Sequence, residues 1–552
     1  MSATRADPIT LEIIGSSVQA ASDEMFAALR KTAMSAIIYE VLDMGTGVTD
    51  GEGNLASSGA GIPSFVGVLD KAVKRILELH PPDEIAAGDV FITNDPFFGG
   101  VTHLNDVVLA MPVFAGGELI AWTANIAHWN DVGGMAPGSI STDAHEIYQE
   151  GLRVPAVRLI ARGEPVRPVL EILAANTRLP DYQRGDLWAG IAAVRVGERR
   201  IRSLVRRYGR EAFADALQAS FERGEEAARR ALGELPDGRF VLAEEQDSGV
   251  VYTVALEIEG DEIVVDLRGN PDQDSGPSNV SRDGAMIAAQ IMLMNVVDPH
   301  GSANAGHFRP LTVLTRPGSV FDPRPPAACG IYYEVRLRLY DLLVRCLAEQ
   351  IGARLPAGGF TSVCGTFIGG THAETGRQFT IVEPQVGGWG ASSSRDGSCA
   401  LFSPTHGNTF NCPAEVAEAR YGLYVEQLAL SAEPGGEGKL RGGKGIALDY
   451  RVRSDDCFLT CAYTRSRRPP WPLAGGREGS PNYVEVLRAN GAVERHAVVT
   501  GLQLSEGDLI RIHTGNGAGH GDPRRRAHEL VLDDLRDEYV TEEVARGVYG
   551  LV

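Results

Sequence analysis

The sequence predicts an α+β chain of several subdomains, with N-terminal helices around a long β-hairpin and a strand- and glycine-rich C-terminal half. Three observations carry that expectation. Apolar residues recur at helical spacing over 9–38 and 66–79, and they alternate at strand spacing over 239–268. Glycine is abundant, 65 of 552 residues, above the roughly 7% typical of soluble proteins. It follows no collagen-like period, so it points to turns and close backbone approaches.

Taken in order, Leu11, Ile14, Val18, Ala21, Met25 and Leu29 define one face of a helix over Ile9–Ile38, with Arg30 and Lys31 late in the run. Val48-Thr49, Asp50-Gly51-Glu52-Gly53 and Asn54-Leu55-Ala56 read as a hairpin. A second amphipathic helix spans Val66–Leu79 and stops at His80-Pro81-Pro82. Residues 184–232 are helical and rich in charge, 239–268 form short strands, and Ala285–Val297 and Val335–Ile351 are buried helices. Beyond Gly358 the chain is strand-like. "EPGGEGKLRGGKG" is expected to be an exposed loop and "HTGNGAGHGDP" (513–523) a mobile loop or subunit contact. Composition shifts divide the chain into 1–238, 239–432 and 433–552.

The formal net charge of −20 argues against nucleic acid or an anionic membrane as partner, since both require a basic footprint. The seven cysteines, Cys329, Cys346, Cys364, Cys399, Cys412, Cys457 and Cys461, are odd in number and scattered, which suits buried thiols better than a disulfide framework. No signal-peptide pattern opens the sequence and no apolar run is long enough to span a bilayer, so a cytoplasmic location is expected.

The segment with the most chemistry is Asn94–Gly134. Val107–Phe114 and Leu119–Ala127 are apolar runs separated by Ala115-Gly116-Gly117-Glu118, a hairpin signal. H-L-N-D (103–106) precedes the first run and H-W-N-D (128–131) follows the second. A hairpin centred between Gly116 and Gly117 sets residue 106 opposite 127 and 105 opposite 128, so His103, Asp106, His128 and Asp131 meet at its open end. Imidazoles with a carboxylate and no thiolate suit a catalytic zinc, iron, manganese or nickel ion. Against this, single His and Asp residues at strand ends ordinarily cap loops, and Asn-Asp pairs favour turns. Repetition across the hairpin tips the balance. Asp95 is a further outer carboxylate candidate, although its place before Pro96 also suits a plain turn.

The blocks "GDVFITNDPFFGGVTHLNDVVLAMPVF", "AHWNDVGGMAPGSIS", "EIYQEGLRVPAVRL" and "GNGAGHGDP", with the opening "DPITLEIIGSSVQAASDEMFAALRKTA", resemble the hydantoinase B/oxoprolinase family along essentially the whole chain. The resemblance implies a B-type subunit that works with an A-type ATPase, which binds the ATP and activates the substrate. It also implies a divalent metal, zinc or manganese foremost, held by His103, Asp106, His128 and Asp43. Asp43 enters only through this resemblance, from the family's E-R-x-D-F segment, here Glu40-Val41-Leu42-Asp43-Met44. His103, Asp106 and His128 are the expected catalytic residues, and Asp95 and Asp131 stand behind them. The chain departs from the family pattern at Val41, Met44-Gly45 and Trp129, where the family has Arg, Phe-Ser and a second His.

The expected activity is ATP-dependent hydrolysis of a cyclic amide such as a hydantoin, oxoproline or lactam. The alternative within the family is one component of an ATP-dependent ketone carboxylase, and a non-catalytic role is disfavoured by the four retained ligand types. The chain lacks G-x-x-x-x-G-K-[ST], G-x-G-x-x-G and G-x-S-x-G, consistent with ATP bound elsewhere and with chemistry other than a serine nucleophile. Cys399 and Cys412 flank His406 without a readable orienting partner, so "SPTHGNTFNCPAE" is treated as pocket lining.

Overall fold

Helix α1 (Pro8–Thr32) begins where the Asp7 carboxylate accepts the N–H groups of Ile9 and Thr10, an N-cap that satisfies two otherwise orphaned donors. The computed structural model describes residues 7–352, 354–407 and 409–551. They form two compact units. The first comprises Met1–Arg239, Glu257–Tyr332 and Gly407–Thr409, and the second Phe240–Leu256, Tyr333–His406 and Phe410–Val552.

In the first unit, α1 is followed by α2 (Ala36–Tyr39), β1 (Met44–Asp50), β2 (Leu55–Gly61), α3 (Pro63–Leu79), β3 (Val90–Thr93), β4 (Asp106–Ala115) and β5 (Glu118–His128). After these come α4 (Ile147–Glu150), β6 (Val157–Ala161), β7 (Glu164–Pro165), α5 (Arg167–Ala175), α6 (Pro180–Tyr208), α7 (Arg210–Leu232) and α8 (Arg282–Val297). The helix expected through Ile38 ends at Thr32 instead. Asp186, on α6, takes the N–H groups of Met34 and Ser35 at 2.8 and 3.0 Å, so those residues cannot continue the helical ladder. The expected helical stretch 184–232 is two helices, parted at Gly209 with φ of 87°.

The seven strands form one antiparallel sheet in the order β2-β1-β5-β4-β3-β6-β7. Its two central strands are buried on both faces, which explains their near-continuous apolar runs. Val108, Ala110, Trp122, Ala124 and Ile126 pack with Phe65, Leu69, Val73 and Ile76 of α3 and Ile287 of α8. On the opposite face the Thr123 hydroxyl donates to the Val194 carbonyl and the Asn125 amide to the Gly190 carbonyl, at 2.9 and 2.7 Å, docking α6. This rigid centre carries the hairpin ends.

The second unit is sheet-rich. One sheet orders its strands as Gln378–Glu383, Gly365–Thr371, Cys457–Ala462 and Val498–Leu504. Another orders them as Leu423–Leu430, Ile446–Val452, Leu509–His513, Tyr483–Leu487 and Val493–His496. Beside them, glycine segments hydrogen-bond backbone to backbone in successive rows. Trp389 N–H donates to Ser398, Gly443 N–H to Trp389 and Gly517 N–H to Gly443, at 3.0, 2.9 and 2.9 Å. Both glycine-rich stretches expected as exposed or mobile loops belong to this array: Gly436–Gly438, Gly442–Gly445 and Thr514–Gly519 are buried. The reason is steric, because a Cβ on Gly443 would collide with the Ser398 carbonyl and one on Gly517 with that of Trp389. Six of the seven cysteines are buried and Cys399 is half-buried, all as free thiols. Among the described residues no helix is long and apolar enough to cross a membrane.

The array gives a test of packing. Gly443→Ala is expected to destabilise the chain by about 1–3 kcal/mol or more through overpacking. Gly15→Ala, with nothing within 4 Å of the added carbon, is expected to be neutral or to stabilise α1 by about 0.5–1 kcal/mol. Chemical denaturation of both variants checks the contrast.

Candidate metal centre

The hairpin brings its two clusters together, with one difference from the sequence expectation. Asp106 pairs with His128, not with Ala127. The tip has the expected register, Ala115 with Glu118 and Phe114 with Leu119, but Val113 then pairs with Ala121. One extra residue, Ile120, sits in the β5 strand as a bulge and moves every later pair by one. As a result the Asp106 carboxylate and the His128 imidazole are direct cross-strand neighbours.

His103 reaches the same place through a turn in which the Asp106 N–H donates to the His103 carbonyl at 3.1 Å, and this turn accounts for the H-x-x-D spacing. Asn105 ties the two loops together, donating through its side chain to the Trp129 and Gly138 carbonyls and accepting the Trp129 N–H at its own carbonyl. The His103 and His128 rings lie 5.1 Å apart. One donor atom from each of His103, Asp106 and His128 lies within 4.8 Å of the other two, and all three residues are buried.

The bonds around these groups select their donor atoms. His103 Nδ1 is 3.1 Å from the Gly330 carbonyl and its Nε2 is 3.3 Å from Asp106 Oδ2. Asp106 Oδ2 also accepts the Thr102 hydroxyl and, at 2.9 Å, the Tyr332 hydroxyl. Tyr332 meets His103 edge-on, 4.8 Å between ring centres. Asp106 Oδ1 and His128 Nδ1 are buried without a hydrogen-bond partner among the described residues. Each such orphan costs about 1–3 kcal/mol, more when charged, and a cation at the centre of the cluster would remove that cost.

The protonation states suit a cation. Burial pushes the Asp106 carboxyl up, but the adjoining His103, then His128 and Thr102, more than offset it and bring it to about 2. Burial and the neighbouring His103 bring the His128 imidazole down to about 3 against the pull of Asp106. A neutral imidazole beside an ionised carboxylate is the form that ligates. The donor set fits zinc or manganese on hardness and number, with positions left over.

Asp43 lies in the turn before β1, buried. Its carbonyl accepts the His128 N–H at 3.0 Å and Met44 pairs with Ala127, so the β1 strand delivers it beside His128. The three-donor cluster is formed without its carboxylate. The Asp131 carboxylate organises the loop behind the site, accepting from Gly133, Gly138 and Arg178 backbone N–H groups and from the Arg178 guanidinium at 2.9–3.1 Å. Asp95 accepts the Phe97 N–H at 2.9 Å and faces Arg153 at 3.8 Å.

Sequence reasoning missed Thr102, Gly330, Tyr332 and Glu150. The Glu150 carboxylate accepts the N–H groups of Cys329 and Gly330 at 3.0 and 2.5 Å. Burial raises it to about 7, against those two N–H groups and His103. Burial also pushes the Cys329 thiol well up, so it is no nucleophile.

Comparison with known proteins is consistent along the whole chain. The family model described as hydantoinase B/oxoprolinase matches residues 7–523. The B component of a putative D-/L-hydantoinase from a Pseudomonas species is 28% identical, covering 99% of this chain and 95% of its own. The crystal structure of the ATP-dependent caprolactamase from Pseudomonas jessenii superposes with a TM-score of 0.92 at 28% identity, covering 100% of this chain and 97% of that one. An acetone carboxylase in its nucleotide-free form shares the fold, TM-score 0.90 at 20% identity over 99% of this chain and 80% of that one.

Metal analysis of the purified chain checks the cluster directly. One equivalent of zinc or manganese per chain is expected, and His128→Ala is expected to lower its affinity by more than the ~10–100-fold typical of losing an outer hydrogen-bond partner. Unchanged metal content in that variant would place the ion elsewhere.

Proposed function

This chain belongs to the hydantoinase B/oxoprolinase family, and on that premise we propose that it is the B-type subunit of an ATP-dependent cyclic-amide hydrolase. The observation that carries the proposal is the buried His103–Asp106–His128 cluster, lodged in a chain that the family model matches from 7 to 523. Asp43 completes the proposed ligand set. The ion, zinc or manganese, supplies Lewis acidity toward water or a carbonyl oxygen when bound.

The chain's own groups set the conditions for that chemistry. The Gly330 carbonyl holds a proton on His103 Nδ1 and leaves Nε2 directed at the cluster. Thr102 and Tyr332 hold Asp106 by one oxygen and leave Oδ1 for the ion. Burial of all three donors excludes bulk water, which strengthens every electrostatic contact with an anionic, phosphorylated substrate.

The hydantoinase relative is named as one half of a two-component enzyme, and a B component implies an A component. The proposed partner is an A-type ATPase that binds ATP and phosphorylates the amide oxygen. In net terms the cyclic amide, ATP and two waters give the ring-opened amino acid, ADP and phosphate, with the ring C–N bond broken. An unactivated amide resists water near neutral pH, so coupling to ATP has a chemical reason.

Reconstitution with the A-type partner tests this. Incubated with ATP and a panel of hydantoins, oxoproline, lactams and ketones with bicarbonate, the complex is expected to open at least one ring. His103→Ala is expected to lose metal and activity together. Bicarbonate-dependent acid formation from a ketone, with no ring opening, would contradict the hydrolase and favour a carboxylase. Full metal occupancy in His103→Ala would contradict the site.

A further inference from the structure

We propose that Glu150 is the positioning residue of this centre, holding the Cys329–Gly330 segment so that the Gly330 carbonyl fixes the tautomer and direction of His103. The inference rests on reading His103, Asp106 and His128 as metal ligands. Glu150 is buried at the end of α4, and both of its oxygens are engaged: Oε2 accepts the Cys329 N–H and Oε1 the Gly330 N–H. The carbonyl of that same Gly330 lies 3.1 Å from His103 Nδ1. A carbonyl only accepts, so Nδ1 carries the proton and Nε2 keeps its lone pair toward the cluster.

Glycine at 330 has both a use and a cost. A Cβ there would meet Glu150 Oε1 at 2.8 Å, so glycine admits the carboxylate. Glycine also leaves the 330 carbonyl conformationally loose unless something anchors it. Glu150 is that anchor. Two residues further on, the same segment brings the Tyr332 hydroxyl to Asp106 Oδ2 at 2.9 Å. One carboxylate therefore secures a strap that touches two of the three donors.

Glu150 is itself tied to the hairpin end. The Met135 N–H donates to the Gln149 carbonyl at 2.6 Å and the Leu152 N–H to the Val132 carbonyl at 2.9 Å, joining α4 to the loop that follows His128. Asn94 adds a second tie, donating to the Leu104 and Leu152 carbonyls and accepting the Val154 N–H. On the strap side the Ile147 N–H donates to the Pro326 carbonyl at 2.8 Å. These bonds set Glu150 between the loops bearing His103 and His128 and the segment that orients them.

The test uses the full chain and zinc ion alone. Glu150→Gln keeps size but presents an NH2 group to one of two N–H donors, and Gly330→Ala crowds the carboxylate from the other side. Zinc affinity is measured by competition with a chromophoric chelator, the ligand field by the cobalt(II) absorption spectrum, and the fold by melting of the metal-free proteins. Both variants are expected to bind zinc about 10–100-fold more weakly, with an altered cobalt spectrum and metal-free melting close to the parent. Either variant that folds is sufficient. Parent-like zinc affinity and cobalt spectra in a folded variant would overturn the positioning role alone. A parent chain that binds no zinc or cobalt would overturn the metal centre and this inference with it.

Discussion

The register of the β4–β5 hairpin is the constraint on which the site depends. With Ile120 bulged, Asp106 and His128 face each other across two strands buried on both sides. Without the bulge, the side-chain period of two would turn one of them to the opposite face of the sheet. The helices that cover the sheet hold that register. Trp122 and Ile126 are locked against α3, while Thr123 and Asn125 are hydrogen-bonded to α6. Slippage by one residue would bury the wrong set of side chains on both faces.

A buried carboxylate between two buried imidazoles is costly unless its charge is used. Desolvation of an ion in a protein interior costs several kcal/mol even after relaxation, and Thr102 and Tyr332 offset only part of this by serving one oxygen. The same α6 helix also contributes Asp186, which clamps Met34 and Ser35 and so sets the turn that carries Asp43 to the end of β1. Sheet register, helix docking and the Glu150 strap therefore converge on one small volume. Mixed helix and sheet architecture serves it throughout the first unit.

Much of this was legible in the sequence, for identifiable reasons. The apolar runs on either side of Ala115–Glu118 announced the hairpin, and the repeated H-x-N-D announced its open end. The pairing itself was not legible, because a bulge at an isoleucine has no side-chain signature. Asp43, about 60 residues upstream, came only through family resemblance. Gly330 and Tyr332 are separated from the residues they orient by 227 and 226 positions, and neither residue type signals an outer partner by itself. The glycine excess was visible, but glycine signals both exposed turns and tight backbone packing. The structure selects packing for 436–445 and 514–519, which is why those stretches are buried.

Anomalous diffraction from crystals of the purified chain, collected on both sides of the bound metal's absorption edge, addresses the central claim most directly. The expected result is one strong peak about 2.0–2.3 Å from His103 Nε2, Asp106 Oδ1 and a ring nitrogen of His128, with the Asp43 carboxylate closing on it. Metal-replete crystals with no peak inside the cluster, or a peak held by other residues, would contradict it.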